Sequence, residues 1–451
     1  MELAGKQVVV VGLARSGIAA AEFLLRRGAR VVATDRRPAA DLAKEAVMLQ
    51  QGGARLELGA HSPGTFTTAD LVVVSPGVPW DLPELAAARA AGVPVMAELE
   101  LGFRHMRGTV AAVTGTKGKS TTTAALGAML AEAGGDVRVG GNIGQAVTGL
   151  VDGATDATTF VLEVSSFQLE GTDTFHPKVA VFLNLSADHL DRHASFEEYG
   201  AAKARIFKNQ TEDDWAVVDA ELARERGWGR ARLVSLAPSP LGESDSAFFK
   251  DGHACLRLDG DEEMLFPVSS VRLPGSHLLI DMLAASAAAR LLGAPTDAIQ
   301  RAAASFKGVE HVLEHVADIA GVAFFNDSKA TNVDAARKSL EAFDRPVVAI
   351  VGGRYKGGDF GLLREPLAAR GRSVMAIGEA QGRVAEALAP VVPVVTCATL
   401  REAVERAFAA AAPGDVVLLA PGCSSFDMFQ DYAERGRAFK REVRALGERK
   451  A

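Results

Sequence analysis

The stretch that decides the fold of this chain is Thr109 to Gly134, TVAAVTGTKGKSTTTAALGAMLAEAG. A short apolar run, Val110 to Val113, leads into a turn with Gly115 and Gly118, and an Ala- and Leu-rich segment of helical composition follows. A strand, a glycine turn and a helix in this order are typical of a phosphate-binding loop, because glycine lets backbone N–H groups converge on an anion at the helix N-terminus. The sequence therefore predicts a nucleotide phosphate site here.

This turn is a shortened form of the usual phosphate loop. The strict pattern places a glycine five residues before Gly118, and that position holds Val113 here. In such loops the lysine reaches the outer phosphates and the hydroxyl binds Mg²⁺, which are the roles we expect for Lys119 and Ser120. The alternative is a glycine-rich turn before an ordinary helix.

Composition places the chain among globular proteins of ordinary make-up. Its 451 residues are enough for about three domains, and 48% of them are hydrophobic and 23% charged. The net charge of −7 gives no footprint for nucleic acid, and no apolar run reaches the ~20 residues of a membrane span. The three cysteines form no CxxC pair, which favours the reducing cytoplasm over a disulfide framework or zinc site.

The N-terminal segment has the pattern of a dinucleotide fold. A strand, Val8 to Val11, runs into Gly12, and a helix and a second strand ending at Asp35 follow. The fingerprint is only G-x-x-x-x-G and lacks the middle glycine that admits a pyrophosphate, so a dehydrogenase is the weakest interpretation. Asp35 with Arg36 and Arg37 suits a ribose or nucleotide, and the alternative is a solvated charged turn.

The central segment repeats strands that end in polar residues. Glu163 lies in an apolar strand, where a carboxylate is costly unless it is paired or binds a metal, so we expect a Mg²⁺ ligand. The apolar run Val179 to Leu185 precedes Asp188 and His189, and such a histidine is more often structural than a ligand. Lys203 falls on a predicted helix and is unremarkable by pattern alone.

Three strand–turn–helix systems in succession predict three α/β domains. We expect a Rossmann-like N-terminal domain (residues 1–98), a central P-loop ATPase domain with a parallel sheet (99–308) and a Rossmann-like C-terminal domain (309–451). Residues 211–270 are polar and give little strand signal, so we assign them no chemistry.

Taken together, several motifs resemble the Mur ligase family, and the resemblance covers nearly the whole chain. They are TGTKGKSTTT, GGNIG, LEVSSFQLE, LNLSADHLDRH, NDSKATN and PGCSSFDMFQDYAERGRAFK. The resemblance implies ATP-driven amide synthesis in peptidoglycan precursor assembly, in which UDP-N-acetylmuramoyl-L-alanine is activated as an acyl phosphate and D-glutamate attacks it. It implies a cytoplasmic enzyme that is a monomer, binds neither nucleic acid nor membrane, and uses ATP with two Mg²⁺ sites.

The resemblance also assigns roles residue by residue. The implied catalytic residues are Lys119, Glu163, His189 and Lys203, with Lys203 carbamylated. The implied metal ligands are Ser120, Glu163, His189 and Lys203. The implied ATP contacts are Gly115, Thr116, Lys117, Gly118, Lys119, Ser120, Thr121, Asp281, Asp327 and Lys329. The implied substrate contacts are Ser16, Asp35, Arg37 and Gly77 for uridine, Asn142, Ser165 and Gln168 for muramoyl-alanine, and Thr331, Lys356, Ser425 and Tyr432 for D-glutamate.

The chain departs from the family pattern in three places. Val312 stands where the family usually has a phosphate-contacting arginine, and Leu278 where it has asparagine. Asp281 replaces a second asparagine and can still hydrogen-bond adenine. In the first domain Arg15 and Arg36 replace residues that are more often Leu and Thr. Two alternatives therefore stay open: a sister Mur or folylpolyglutamate-type ligase with another amino acid, and a catalytically impaired nucleotide-binding paralogue.

Overall fold

The structure is a computed structural model that describes residues 1–42, 48–188, 192–225, 228–273 and 275–450. Side chains at 225, 276 and 277 are outside that description. The chain divides into two compact units. The first unit comprises Met1–Val271 and Ile280–Phe306, and the second comprises Arg272–Leu279 and the chain from Lys307 onward.

Runs of buried valine and alanine build the first sheet of the first unit. It has five parallel strands in the order β3-β2-β1-β4-β5. The strands are β1 Gln7–Val11, β2 Arg30–Asp35, β3 Arg55–Leu58, β4 Leu71–Val74 and β5 Val95–Ala97. The helices are α1 Arg15–Arg26, α2 Pro63–Thr67, α3 Pro83–Ala90 and α4 Glu98–Phe103. The order reverses between β1 and β4, which is where open parallel sheets bind ligands.

The second sheet of the first unit has nine strands, and the strand that feeds the phosphate loop lies inside it. Their bounds are β6 Thr109–Thr114, β7 Asp136–Gly141, β8 Thr158–Glu163, β9 Val179–Phe182, β10 Trp215–Asp219, β11 Arg232–Leu236, β12 Ser246–Lys250, β13 His253–Leu258 and β14 Asp261–Pro267. The order is β14-β13-β12-β11-β10-β9-β6-β8-β7, so β6 pairs with β8 on one side and β9 on the other. The helices are α5 Lys119–Glu132, α6 Ser166–Glu170, α7 Phe196–Ala204, α8 Ala220–Glu225, α9 Ser276–Leu291 and α10 Thr296–Ser305. The first residues of α9, up to Leu279, belong to the second unit.

The strand-poor interpretation of residues 211–270 is wrong, because β10 to β14 all lie there. Strands β12, β13 and β14 form an antiparallel meander joined by two tight turns, Asp251–Gly252 and Asp259–Gly260. All four turn residues have positive φ, from 50° to 90°. That geometry matches a two-residue hairpin turn with both central residues left-handed, for which Asp-Gly is a favoured sequence.

The second unit contains a six-stranded sheet in the order β15-β16-β20-β17-β18-β19. All of its pairs are parallel except β15 with β16. The strands are β15 Glu314–Ile319, β16 Val322–Asn326, β17 Val347–Gly352, β18 Gly371–Ile377, β19 Val394–Cys397 and β20 Val416–Leu419. The helices are α11 Val333–Glu341, α12 Arg364–Arg370, α13 Gln381–Leu388, α14 Leu400–Ala410 and α15 Tyr432–Lys450.

Three mainly parallel sheets flanked by helices confirm the predicted fold class of three α/β domains. Parallel strands are covered on both faces, which is why they read as continuous apolar runs in the sequence. The boundaries 1–98, 99–308 and 309–451 stay a prediction. Within the described ranges, no helix combines the length and the apolar character needed to cross a membrane.

Candidate active site

The phosphate loop joins β6 to α5 and is held from outside by Asn184, which follows β9. The N–H of Lys117 donates to Asn184 Oδ1 at 2.9 Å, and Asn184 Nδ2 donates back to the Lys117 carbonyl at 3.1 Å. Thr116 N–H donates to the Asn184 carbonyl at 3.0 Å. Gly118 caps the helix with φ 82°, a left-handed conformation that glycine adopts without strain. Asn184 therefore holds the loop at Thr116 and Lys117 through three hydrogen bonds.

Ser120 and Glu163 connect the loop to the next strand. Ser120 Oγ donates to Glu163 Oε2 at 2.6 Å, and Asn142 Nδ2 donates to Glu163 Oε1 at 2.6 Å. Glu163 is only 1% exposed, and these two donors are neutral groups. Lys119 Nζ donates to the carbonyls of Gly115 and Thr116, at 2.9 and 2.8 Å. Thr121 is buried in the first turn of α5.

Lys203 lies against the same loop from α7. Its Nζ donates to the Gly115 carbonyl at 2.8 Å and lies 4.6 Å from the centre of the Tyr199 ring. The side chain is 2% exposed, and burial lowers its pKa to about 7, with the positive charge of Lys119 as the second cause. The sequence pattern alone did not mark this lysine, whereas its burial beside Glu163 and the loop does.

His189 lies outside the described residues, so its predicted role has no structural counterpart here. His193, four residues later, is buried, and its Nε2 lies 3.0 Å from Ser166 Oγ and its Nδ1 3.4 Å from Glu170 Oε1. Across the described ranges no group of three His, Cys, Asp or Glu side chains is arranged to hold a metal ion. A magnesium site at the loop would have to draw on hydroxyl, carboxylate and phosphate oxygens.

A cavity of about 640 Å³ opens at the carboxyl ends of β1, β2 and β4 in the first unit. We call it the nucleotide cavity. Six residues predicted as substrate contacts line it: Ser16, Asp35, Arg37, Gly77, Asn142 and Gln168. The lining also includes Arg36, which the sequence placed beside Asp35 and Arg37, and His61 and Arg15, which sequence reasoning did not place in a site. The structure thus brings the predicted uridine residues together with two of the three predicted muramoyl contacts.

Asp35 is a fixed anion at the wall of this cavity. Burial alone would raise its pKa, but hydrogen bonds from Arg37 and from the Leu13 N–H lower the pKa to about 2. Arg37 Nη2 donates to Asp35 Oδ2 at 2.8 Å, and Leu13 N–H donates to the same oxygen at 2.8 Å. The predicted ribose carboxylate is therefore ionised at neutral pH, and it orders the turn after β1.

Ser165 and Gln168 form a capping box at the start of α6. Gln168 N–H donates to Ser165 Oγ, and Ser165 N–H donates to Gln168 Oε1 at 3.0 Å. This arrangement gives both residues a structural role, because it satisfies donors at a helix N-terminus. Gln168 also lines the nucleotide cavity, whereas Ser165 is not part of its lining.

In the second unit Asp327 and Lys329 follow β16. Asp327 is 7% exposed, accepts a hydrogen bond from Ser339 Oγ and one from Leu313 N–H at 3.3 Å, and burial raises its pKa to about 6. The Lys329 N–H donates to the carbonyl of His311 at 3.1 Å. These bonds hold the loop by its backbone and by one carboxylate.

The predicted D-glutamate residues also belong to the second unit, and they differ in accessibility. Lys356 is exposed, with Nζ 5.5 Å from the centre of the Phe426 ring, and Tyr432 is 37% exposed. Thr331 is half-buried, and its N–H donates to the Lys329 carbonyl at 2.8 Å. Ser425 is 2% exposed, and its carbonyl accepts from the Phe429 N–H at 2.8 Å.

Two of the departures from the family pattern have structural explanations. Leu278 is buried in the apolar core of the second unit with Leu313 and Phe325, so it serves packing. Asp281 lies against the phosphate loop, where a Cβ on Gly118 would come within 2.1 Å of Asp281 Oδ1. Nothing in the structure explains Val312.

Sequence reasoning missed Asn184 and Tyr199 beside the loop. Asn184 stands two residues beyond β9, and β9 pairs with the loop strand β6. A polar residue at that place could have been recognised, because the carboxyl ends of adjacent parallel strands meet at one edge. Tyr199 is one turn before Lys203 and approaches Thr116 Oγ1 at 3.3 Å, and no sequence signal marked it.

Comparison with protein families gives three matches along the chain. Residues 6–97 match "Mur ligase MurD-like, N-terminal domain", residues 113–289 match "Mur ligase middle domain", and residues 313–423 match "Mur ligase, glutamate ligase domain".

Curated relatives are similar over nearly their whole length. Proteins named UDP-N-acetylmuramoylalanine--D-glutamate ligase are 47% identical in Acidobacterium capsulatum, over 98% of this chain and 96% of that protein, and 44% identical in Pelobacter propionicus, over 99% and 100%.

Solved structures share the fold at low identity. The UDP-N-acetylmuramate-alanine ligase of Thermotoga maritima has a TM-score of 0.61 at 20% identity, covering 98% of this chain and 100% of that one. The MurF ligase of Thermotoga maritima in complex with ADP has a TM-score of 0.60 at 19% identity, covering 98% and 96%.

Proposed function

The chain belongs to the Mur ligase family, and from this premise we propose that it joins D-glutamate to UDP-N-acetylmuramoyl-L-alanine with conversion of ATP to ADP and phosphate. The observation that carries the proposal is the position of Asn142. This residue lines the nucleotide cavity, and its amide donates to Glu163, which in turn accepts from Ser120 of the phosphate loop. A nucleotide substrate and ATP phosphates would therefore bind side by side in the first unit.

The reaction we propose activates the carboxylate of the alanine residue. A carboxylate oxygen attacks the γ-phosphorus of ATP, ADP leaves, and an acyl phosphate forms. The D-glutamate nitrogen then attacks the acyl carbon, phosphate leaves with the C–O bond pair, and the amine loses a proton. Both steps bring anions together, so positive groups must lie between them. Lys119 and the N–H groups of the phosphate loop supply that charge in this chain.

The donor set at the loop fits magnesium. Ser120 Oγ and Glu163 Oε2 are oxygen atoms 2.6 Å apart. Glu163 is buried, and no cationic side chain of the described residues forms an ion pair with it. Hard oxygen ligands of this kind are those that Mg²⁺ takes together with substrate phosphates. When bound, the ion would offset phosphate charge as a Lewis acid.

We propose a second magnesium site that uses His189 and a carbamylated Lys203. Carbamylation joins the neutral Nζ to the carbon of CO₂ and releases a proton, which converts the amine into an oxygen donor. A pKa of about 7, lowered by burial and by Lys119, leaves much of Lys203 neutral near pH 7.5. The Gly115 carbonyl and the Tyr199 ring hold the side chain beside the loop.

We also propose roles for residues of the second unit. Asp327 and Lys329 would contact the ATP nucleotide, and Thr331, Lys356, Ser425 and Tyr432 would bind D-glutamate. Support for these roles comes from the family resemblance, since the second unit matches the glutamate ligase domain over residues 313–423. Lys356 would pair with a carboxylate of the amino acid, because it is an exposed cation.

We infer that the enzyme is cytoplasmic and monomeric. All three cysteines are buried and free, which agrees with a reducing compartment. The substrates that we propose are water-soluble nucleotides and an amino acid.

Phosphate release tests the proposal. We expect turnover with ATP, UDP-N-acetylmuramoyl-L-alanine and D-glutamate, and little with L-glutamate, L-alanine, L-lysine or diaminopimelate in its place. Turnover with one of those amino acids instead would identify a sister ligase. Nucleotide binding without turnover for any amino acid would favour an impaired paralogue, and both results would refute the D-glutamate proposal.

A further inference from the structure

Three arginines line the nucleotide cavity, and they differ in what neutralises them. Arg37 Nη2 lies 2.8 Å from Asp35 Oδ2, and Arg36 Nη2 lies 3.7 Å from Glu84 Oε2. In the described part of the chain, no carboxylate forms an ion pair with Arg15. Among the described residues, its guanidinium donates to two main-chain oxygens, those of Gly141 and Asn142. Arg15 is thus the arginine of the cavity that can meet an anionic ligand without first leaving a carboxylate.

The turn before Arg15 lacks one of the three glycines of dinucleotide-binding turns. A Cβ on Gly17 would lie 1.8 Å from the Gly12 carbonyl oxygen, so these two glycines allow α1 to pack closely on β1. Dinucleotide-binding turns carry a further glycine between them, which lets the backbone approach a pyrophosphate. This chain has Ala14 at that position. A methyl group at that position narrows the approach of a phosphate to the backbone, and the Arg15 side chain offers positive charge beside it.

Arg15 also touches the residue that connects the cavity with the phosphate loop. Its Nη2 donates to the Asn142 carbonyl at 2.8 Å and approaches the Gly141 carbonyl at 3.4 Å. Both bonds use Nη2, which leaves Nη1 and Nε to donate to other acceptors. A guanidinium presents its donors in a fixed planar fork that matches two phosphate oxygens.

We propose that Arg15 binds the diphosphate of the uridine nucleotide substrate and determines the preference of the cavity for UDP over uridine. The inference rests on the proposed function for the identity of that nucleotide. It gives this chain a specificity residue at a position where the family more often has leucine.

Equilibrium titrations with UDP and with uridine, followed by NMR, test this role. We expect Arg15→Leu to weaken UDP binding roughly tenfold or more and to leave uridine binding unchanged, because a charge-assisted hydrogen bond to phosphate is lost. Arg26→Leu is the matched control. It makes the same change at the other end of α1, where Arg26 pairs with Asp152, and we expect it to affect neither ligand.

Equal affinities of the parent and Arg15→Leu for UDP would overturn the inference, as would a parallel loss for UDP and uridine. If the leucine variant does not fold, Arg15→Lys provides the measurement, and its ratio of UDP to uridine affinity should fall below that of the parent. The titrations contain neither ATP nor D-glutamate. Absence of D-glutamate ligation alongside Arg15-dependent UDP binding would therefore refute the proposed reaction and leave this inference standing.

Discussion

Lys119 and Lys203 both contact the phosphate loop, but they differ in their surroundings and in the charge that we expect each to carry. Lys119 donates to two carbonyls of the loop itself and belongs to the first turn of α5. Lys203 is 2% exposed and has a pKa lowered to about 7 by burial and by Lys119. Two ammonium groups so close repel each other, which favours one charged and one neutral lysine.

Lys119→Ala should reduce phosphate release at least a hundredfold while the protein stays folded. An ammonium that faces developing phosphoryl charge typically contributes several kcal/mol to a transition state. Lys208→Ala is the control, since Lys208 is a partly exposed lysine of the same unit that pairs with Asp173. Phosphate release measures the activity of both variants, and thermal unfolding checks that both are folded. Near-parent turnover in Lys119→Ala would show that the loop is not catalytic.

Lys203→Ala should lose most activity, and acetate in solution should restore part of it. The carbamate that we propose is an oxygen donor, so a small carboxylate can take its place in the space left by the side chain. Lys119→Ala should not respond to acetate, because a cation is missing there. Rescue of Lys203→Ala by ethylamine in place of acetate would show that Lys203 works as a cation.

Asp35→Asn should destabilise the first unit by roughly 2 kcal/mol at neutral pH. The pKa of Asp35 in the folded protein is about 2, below the usual aspartate value of 3.8, and one pKa unit corresponds to about 1.4 kcal/mol. A lowered carboxyl pKa adds stability that is present above the unfolded pKa and is lost as pH falls toward 2. The stability gap between the parent and the variant, measured by urea unfolding, should therefore narrow below about pH 4. The exposed Asp81→Asn change should produce no such gap, and a gap independent of pH would contradict the assignment.

At the scale of elements, sequence patterns identified the parallel strands and failed on the antiparallel meander. Strands such as β1 and β6 are buried on both faces and end in glycine turns, so an apolar run followed by glycine identifies each of them in the sequence. Strands β12 to β14 mix charged and apolar residues because they extend an edge of the sheet. The sequence signal for these strands is the pair of Asp-Gly turns, and an interpretation based on the polar composition of the segment overlooked it.

The residues of the candidate site could also be predicted only in part from the sequence. Residues at the carboxyl ends of parallel strands, such as Asp35 and Glu163, could be found by position. Lys203 came only from family resemblance, because a buried lysine on a helix looks like a solvated one until its neighbours are known. Arg15 could not be placed from the sequence, because it bonds to main-chain carbonyls, whereas Asn184 could have been recognised from its position just beyond β9.

The hairpin turns give a prediction at the same scale. Gly252→Ala should cost about 1 kcal/mol of stability, because φ is 74° and a side chain is strained in that conformation even though no atom lies within 4 Å of the new Cβ. Gly382→Ala is the matched control, with equal space in helix α13 and without a left-handed φ. Alanine there should be neutral or stabilising. Thermal unfolding that ranks the two variants in the opposite order would contradict the turn geometry.

For the whole molecule, we expect the division into two units to govern how the chain unfolds. Each unit has its own sheets and its own buried apolar clusters, as Val9 and Phe66 in the first and Ile350 and Phe439 in the second illustrate. Proteins of several domains commonly depart from two-state unfolding. Calorimetry should therefore resolve two transitions, one for each unit.

UDP should raise the midpoint of one transition and leave the other in place, because every residue that lines the nucleotide cavity belongs to the first unit. A ligand at about 100 times its Kd stabilises the state that binds it by about 2.7 kcal/mol. Ile350→Ala identifies the remaining transition, since truncation of this fully buried side chain should cost the second unit roughly 2–5 kcal/mol. Calorimetric scans of the parent and Ile350→Ala, each with and without UDP, should thus move the two transitions separately. If UDP and Ile350→Ala shift the same transition, the two units unfold together and the division does not govern stability.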